Sequence, residues 1–500
     1  MKITVPNPSL VVLIGASGSG KSTFARRLFL PTEIVSSDYC RGVVSDDETS
    51  LEATGDAFDL LHYIVGKRLG RNRLTVVDAT SVQQRDRQPL IEAARKHHVL
   101  PVAVVLDMPE RLCHDRNRAR PDRQFGPHVV RRHREALRRS LRGLRGEGFR
   151  YVYVLSSPDE VDAATVEREK IWNDRRELCG PFDLIGDVHG CYDELAQLLE
   201  KLGYVAEVAE DAPHGYRAHH PDGRTAVFVG DLVDRGPATP TVLRLVMSMV
   251  ETGTGLCVVG NHEDKLLRKL KGRNVQITHG LAETLAQLEG EPTAFIEQLG
   301  TFLNGLLSHL VLDEGKLVVA HAGLTEPLHG KASAAVRAFA MYGDTTGETD
   351  EYGLPVRLNW ASEYRGAATV VYGHTPVLAP EWLNNTIDID TGCVFGGSLT
   401  ALRYPERALV SVPAARVYYE PARPIPPASE AHTPIAAPPP ESTSPPGRCA
   451  ARISASPTSL SGAERGRLGQ ARRRFKPGPL SWRRAGRRSR SRTTCWTSRT

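Results

Sequence analysis

The sequence predicts an α/β protein of two successive sheet domains followed by a C-terminal tail that builds no core. Three observations carry that expectation. Over residues 1–170, short apolar runs alternate with amphipathic stretches. From 180 to 420, a second set of apolar runs ends in Gly or Ala followed by Asp, Asn or His. Beyond 420, aliphatic residues give way to proline, serine and arginine. Alternating strands and helices build parallel sheets covered on both faces.

The composition excludes other classes. With 500 residues, 64 basic, 58 acidic and 40% hydrophobic, the chain is neither collagen-like, coiled coil nor wholly disordered. No apolar run reaches the ~20 residues of a membrane span, and the stretch from Met1 to Pro6 lacks a signal-peptide core. A cytoplasmic protein without membrane contact is expected. Eight cysteines occur without a C-x-x-C pair, which suits neither a disulfide framework nor a zinc ribbon. Residues 421–500 hold sixteen basic and three acidic side chains, so a total charge of +6 leaves −7 on the first 420. The global charge is therefore no nucleic-acid footprint.

In the first domain (1–170), Ser9–Ile14 reads as a buried strand and Ser22–Leu30 as the helix after it. Further strands are expected at Glu33–Ser37, Leu74–Val77, Pro101–Leu106 and, after an Arg-rich helical stretch, Tyr151–Leu155. In the second (180–420), strands lead into Gly186-Asp187, Gly230-Asp231, Gly260-Asn261, Ala320-His321 and Gly373-His374. Ligands at the carboxyl ends of neighbouring strands converge on one sheet edge. Residues 421–447 hold ten prolines, and 448–500 have few aliphatics, so the tail (421–500) is expected to be a disordered Pro-rich, then Arg-rich, segment.

Gly15-Ala16-Ser17-Gly18-Ser19-Gly20-Lys21-Ser22 fits G-x-x-x-x-G-K-[ST] between a strand and a helix. Backbone N–H groups of Gly15, Ser17, Gly18, Ser19 and Gly20 turn inward around phosphate oxygens, Lys21 neutralises them, and Ser22, with Thr23 beside it, faces Mg²⁺. The pattern predicts a nucleoside triphosphate, ATP, as ligand. Asp38, expected at the end of the second strand, is placed to take the proton of an attacking hydroxyl, and Arg41 to hold an acceptor phosphate. An N-capping Asp with a surface Arg is the bland alternative. Arg116, Arg120 and Arg123 form an Arg-rich segment able to close over the transferred phosphoryl group. The later run from Arg131 to Arg145 reads as a solvated basic face.

The second site is the cluster of strand-end ligands. Asp187 and His189 suit one metal, Asp231 spans two, and Asn261, His321 and His374 complete the second. Mixed imidazole and carboxylate ligation favours Mn, Fe, Ni or Zn over Ca or Mg, with manganese or nickel leading. Arg235 offers a forked donor for a phosphate ester. His262 is positioned to protonate a leaving alkoxide, oriented by Asp234 or another nearby carboxylate. His62, His97, His98, His214, His219, His279 and His309 read as core or surface residues.

These motifs carry a resemblance. The second domain resembles the calcineurin-type metallophosphoesterases in its GD-x-HG, GD-x-x-DRG, GNHE, lone His and GH motifs. Its GH reads Gly373-His374-Thr375-Pro376, without the second histidine of GH-x-H, which resembles the bacteriophage-type protein phosphatases. A P-loop kinase joined to such a phosphatase resembles the bacterial polynucleotide kinase–phosphatase of RNA repair over residues 1–420. The resemblance implies an enzyme that phosphorylates 5′-hydroxyl RNA ends and removes 2′,3′-cyclic, 2′- or 3′-phosphates. It implies Asp38 as general base, Arg41 as acceptor clamp and Arg116, Arg120 and Arg123 as lid. That family continues into a ligase-like domain with a K-x-x-G lysine. Here Lys476 stands alone in an aliphatic-poor tail, so a truncated or frame-disrupted end is expected. The family's methyltransferase partner is not expected without that domain; RNA ends and a nucleoside triphosphate are, and a homo-oligomer stays open. The alternative reading is a small-molecule or nucleotide kinase fused to a bacteriophage-type serine/threonine protein phosphatase.

Overall fold

The computed structural model describes residues 1–119 and 126–427. In chain order the first domain carries β1 (Lys2–Asn7), β2 (Ser9–Gly15), β3 (Ile34–Ser36), β4 (Thr75–Asp78), β5 (Leu100–Leu106), β6 (Tyr151–Leu155) and β7 (Thr165–Lys170). Strands β2 to β6 form one parallel sheet in the order β3-β4-β2-β5-β6. The two-residue side-chain period of β2 explains why it is central. Leu10, Val12 and Ile14 pack with Leu61 and Val65 on one face, and Val11 and Leu13 with Phe24 on the other. A strand buried on both faces reads as an unbroken apolar run. Lys2–Asn7 was not expected as a strand. It pairs in parallel with β7, and Ile3 and Val5 bury against the sheet, although the run is too short and polar to announce itself.

The second domain adds β8 (Phe182–Ile185), β9 (Val205–Val208), β10 (Tyr216–His219), β11 (Thr225–Phe228), β12 (Gly255–Cys257), β13 (His309–Leu312), β14 (Leu317–Ala320), β15 (Thr345–Thr349), β16 (Pro355–Arg357), β17 (Thr369–Tyr372), β18 (Trp382–Leu383), β19 (Thr386–Asp388), β20 (Ser398–Tyr404) and β21 (Ala408–Pro413). Two five-stranded sheets, β12-β11-β8-β20-β21 and β13-β14-β17-β19-β18, stack face to face. Leu184, Val227, Val229 and Val258 of the first meet Leu310, Leu317, Val319, Val371 and Ile387 of the second in one apolar layer. Helices such as Tyr192–Leu202 and Thr239–Glu251 cover the outer face of the first sheet. The helix Ala334–Tyr342 and Trp360 cover that of the second. In each sheet three strands run parallel: β8, β11 and β12 in one, β14, β17 and β19 in the other. Each of the five expected ligand motifs follows such a strand.

The tail expectation needs a correction at its start. Residues 421–427 lie against the second domain: the Leu378 amide donates to the Pro426 carbonyl at 3.1 Å, and Arg423 pairs with Asp350 at 3.4 Å. Proline removes donors but leaves carbonyls and side chains to pack, so proline content alone placed the boundary too early. Residues 428–500, including Lys476, lie outside the described residues. No helix among the described residues is long and apolar enough to cross a membrane.

Candidate active sites

The first site grows out of the loop between β2 and the helix Lys21–Leu28. Gly18 has φ of 80°, and a Cβ there would collide with the Cys113 carbonyl, so only glycine fits this turn. Beside it the Ser17 hydroxyl donates to Asn117 at 3.2 Å, pinning the loop to the helix Glu110–Arg118. The Lys21 ammonium is buried and donates to the Gly15 and Ala16 carbonyls at 2.8 and 3.0 Å. The loop opens into a cavity of about 590 Å³ lined by Ser17, Gly18, Gly20, Lys21, Ser22 and Thr23 on one side and Asp38 and Arg41 on another.

Asp38 does not end a strand, as the sequence suggested. β3 stops at Ser36, whose hydroxyl accepts from the Asp38 amide at 3.3 Å and caps the helix Ser37–Ser45. Ser36 is therefore the cap, and the Asp38 carboxylate is left to the cavity, where Arg41 donates to it at 2.6 Å. One guanidinium thus orients the Asp38 carboxylate and borders the same cavity. Arg116 lines the same cavity and donates to the Ser19 carbonyl at 3.2 Å. Arg120 and Arg123 lie outside the described residues.

Sequence reasoning missed three neighbours here. Asp78 ends β4, the strand hydrogen-bonded to β2, and lines the cavity. Its signal was available, because it is an acid at the end of an apolar strand. Glu48 also lines the cavity. His133 belongs to the run read as a solvated basic face, but the helix Pro127–Ser140 turns it into the cavity. Burial, with Lys21 and Arg132 nearby, pushes its imidazole down to about 4. Arg134, next to it, points at Asp107 and Glu110 (3.7 and 3.8 Å). Helical periodicity divides that run between solvent and core, which a count of arginines does not show.

The second site lies at the carboxyl edge shared by the two sheets. Asp231 is its centre. One carboxylate oxygen faces His189 Nε2 and His262 Nε2 (3.6 and 3.7 Å), and the other faces His321 Nε2 at 3.3 Å. The ligand atoms of Asp231, His321 and His374 lie within 4.8 Å of one another, as do those of His189, Asp231 and His262. His321 Nε2 also stands 3.0 Å from Asn261 Oδ1 and from His374 Nδ1. Asp187 accepts from the His374 amide at 3.1 Å. The structure therefore brings His189, Asp231, Asn261, His321 and His374 together, with Asp231 between two groups and Asp187 joined to them through the His374 amide.

The donor set fits divalent cations. His189 Nδ1 donates to the Val233 carbonyl at 2.7 Å and His321 Nδ1 to the Val229 carbonyl at 3.1 Å, which leaves the Nε2 lone pair of each facing the cluster. Asp187 Oδ1 is buried with no hydrogen-bond partner. Burial, with Asp390 and Asp231 close by, pushes the Asp187 carboxyl well up. Burial also raises Asp231, but His321 and His262 outweigh it and hold that carboxyl well below its usual range. Burial and Arg235 push His189 well down, so it presents a neutral imidazole. A buried cluster of carboxylates and imidazoles is a donor set that suits a divalent cation.

The backbone is strained at this edge. His189, Asp231, Asp234, Arg235 and His374 all have positive φ, between 44° and 77°. Non-glycine residues hold that conformation only where surrounding contacts fix it, and such residues cluster at functional sites. Glu263 supplies much of the fixing. Its carboxylate accepts from the amides of Gly260, Asp231 and Leu232 (2.9, 2.8 and 2.8 Å) and ties the Asn261 loop to the Asp231 loop.

His262 and Arg235 complete the chemistry. Asp234 Oδ2 stands 2.6 Å from His262 Nδ1, which decides among the carboxylates that might have oriented this imidazole. The Arg235 guanidinium forks between His189 Nε2 and His262 Nε2 (2.6 and 3.1 Å) and stacks over Phe395. Two residues here carried no assignment from the sequence. Arg357, on β16, donates to His374 Nε2 at 2.7 Å and puts a second guanidinium at the opposite end of the cluster. Nothing around it in the sequence marks it. Asp390 follows β19 in Ile387-Asp388-Ile389-Asp390-Thr391-Gly392 and is buried beside Asp187, with Gly373 between them. It obeys the same strand-end pattern as the expected ligands.

Residues 180–378 match the calcineurin-like phosphoesterase family, and residues 10–144 match an AAA domain. Through its second domain the chain belongs to the calcineurin-like phosphoesterases. It is 50% identical over 241 residues to the asymmetrical bis(5′-nucleosyl)-tetraphosphatase PrpE of Anoxybacillus flavithermus, covering 47% of this chain and 96% of that protein. The PrpE of Bacillus subtilis is 46% identical over 48% of this chain and 97% of its own length. A solved structure of a candidate diadenosine tetraphosphatase is 28% identical, covers 48% of this chain and 96% of its own, and superposes with a TM-score of 0.35. The molecule is thus an enzyme that joins a P-loop kinase-type domain to a metallophosphoesterase domain.

Proposed function

We propose that this enzyme heals broken RNA ends, phosphorylating a 5′-hydroxyl in its first domain and removing a 2′,3′-cyclic, 2′- or 3′-phosphate in its second. The observation that carries the reading is the Asp38–Arg41 pair in the cavity that Lys21 also lines (2.6 Å between carboxylate and guanidinium). A nucleotide-hydrolysing module needs only a water site. A carboxylate held by an arginine suits a hydroxyl acceptor that itself carries a phosphate, as a 5′-OH RNA end does one nucleotide in. Lys21 and the loop amides hold the donor phosphates, Arg116 stabilises charge on the moving group, and Asp38 takes the hydroxyl proton.

In the second domain, divalent cations at Asp187, His189, Asp231, Asn261, His321 and His374, manganese first, would supply Lewis acidity and an acidified water. Arg235 holds the non-bridging oxygens of the ester, and His262, oriented by Asp234, delivers its proton to the departing ribose oxygen. The two reactions are complementary, because a break leaving 5′-OH and a blocked 3′ end becomes 5′-phosphate and 3′-OH.

A second reading has its own support. Likeness to asymmetrical bis(5′-nucleosyl)-tetraphosphatases at 50% identity favours a dinucleoside tetraphosphate as substrate of the second domain. Competition separates the two. The full chain is given 2′,3′-cyclic-phosphate RNA and bis(5′-adenosyl) tetraphosphate together with Mn²⁺, while a 5′-OH oligonucleotide and ATP report the kinase. RNA ends opened with the higher kcat/KM, and label transferred to the oligonucleotide, support end healing. Cleavage of the tetraphosphate with RNA ends untouched, or label passing only to nucleosides, overturns it.

A further inference from the structure

Three side chains outside both reaction centres form a second kind of ligand cluster. Cys191, Glu194 and Cys393 are each about 1% exposed, and their thiol and carboxylate atoms lie within 4.8 Å of one another. Cys191 caps the helix Tyr192–Leu202, Glu194 sits in its first turn, and Cys393 follows the Asp390 loop. The sequence hid them, since 202 residues separate the two cysteines and neither belongs to a C-x-x-C pair.

The carboxylate is the telling group. Glu194 Oε1 accepts from the Ala415 amide and the Tyr418 hydroxyl (2.9 and 2.8 Å), which fixes its direction. Glu194 Oε2 is buried with no hydrogen-bond partner. A buried carboxylate oxygen left unpaired is destabilising, and this carboxylate shares its cluster with two thiols. The Cys191 and Cys393 thiols are free rather than joined in a disulfide, and the Cys191 thiol also approaches the His189 carbonyl at 3.7 Å. Two thiolates on one tetrahedral zinc, with bonds of about 2.3 Å, stand roughly 3.8 Å apart, inside the 4.8 Å that bounds this cluster.

We infer that Cys191, Cys393 and Glu194 form a separate thiophilic-metal site, for one zinc ion, that staples the His189 loop to the Asp390 loop. Binding forms two zinc–sulfur bonds and one zinc–oxygen bond and releases the two thiol protons to solvent. The ion answers the unpaired Glu194 oxygen and joins two loops that reach the phosphoesterase centre from β8 and β19. It is distinct in chemistry from that centre, whose expected ligands include no sulfur.

Cobalt(II) reads the difference directly. The reduced full-length chain is titrated anaerobically with Co²⁺, and the near-ultraviolet thiolate-to-cobalt charge-transfer absorption is followed. One equivalent of that absorption per chain is expected. It should vanish in Cys393→Ser and Cys191→Ser, and in Glu194→Gln zinc should dissociate at least 10-fold more readily in chelator competition. A cooperative thermal unfolding transition of the second domain reports that each variant is folded; should the cysteine variants not fold, the wild-type absorption and the near-isosteric Glu194→Gln decide alone. Absence of the absorption from the wild type, its persistence in Cys393→Ser, unchanged zinc retention in Glu194→Gln, or a Cys191–Cys393 disulfide in the protein as isolated would each overturn the assignment.

Discussion

The two reaction centres are built by opposite means. The P-loop centre is largely local: fifteen or so residues from β2 into the following helix supply the phosphate cradle, and Asp38 and Arg41 follow within one more strand and turn. The phosphoesterase centre draws on five loops that span residues 187 to 374, brought to one edge by two stacked sheets. A local cradle depends on backbone amides and one lysine. A dispersed centre depends on the whole sandwich, and its strained backbone at His189, Asp231 and His374 shows how much the surrounding fold must hold.

The largest effect tests whether the centres are independent. Asp231→Asn keeps the shape but removes the charge shared by two ligand groups. Phosphoesterase turnover should fall by ~10³-fold or more, the several kcal/mol of transition-state stabilisation that metal ions supply, while kinase turnover stays within twofold. Assaying both reactions on the same preparation checks this, and a parallel fall in the two would break the comparison. Asp38→Ala should do the converse, lowering 5′ phosphorylation by ~10²–10⁴-fold with the phosphoesterase intact.

Arg357→Ala should have a smaller effect, about 10–100-fold on phosphoesterase kcat/KM, because its guanidinium touches His374 rather than forking between two imidazoles as Arg235 does. Measuring kcat and KM separately shows whether it holds substrate or positions His374.

The smallest effect concerns the scaffold. His309, on β13, is fully buried against Asn173 and the Lys331 carbonyl environment, and burial followed by His329 pushes it down to about 3. Its folded value lies below its unfolded one, so its contribution is complete above about pH 6.5 and is lost as the pH falls toward 3. Denaturant unfolding at pH 7 and pH 5 should differ by about 2 kcal/mol on this account. His309→Gln, which cannot titrate, should flatten the difference.

Much of this was legible in the sequence, for physical reasons that differ between the centres. Apolar runs with no polar alternation revealed the buried parallel strands, and a fixed spacing of glycines and lysine revealed the cradle. Strand-end carboxylates and histidines announced a cluster of side chains able to hold metal because sheet topology gathers such positions. Asp390 and Asp78 obey that same pattern and were overlooked, not hidden. Arg357 was hidden, since a lone arginine on a short hairpin acquires meaning only from what it touches. His133 was misread because composition gives charge, not facing. Ser36, rather than Asp38, as the helix cap follows from one hydrogen bond, which no spacing rule supplies.

The central claim is that one chain treats both ends of the same RNA break at two separate centres. The direct measurement uses an RNA nick bearing a 5′-OH and a 2′,3′-cyclic phosphate, with each end labelled differently, incubated with ATP, Mg²⁺ and Mn²⁺. The wild type should convert both ends, Lys21→Ala only the 3′ end, and Asp187→Ala only the 5′ end. Failure of the wild type to alter either RNA end, or loss of both conversions in each single variant, would contradict the account.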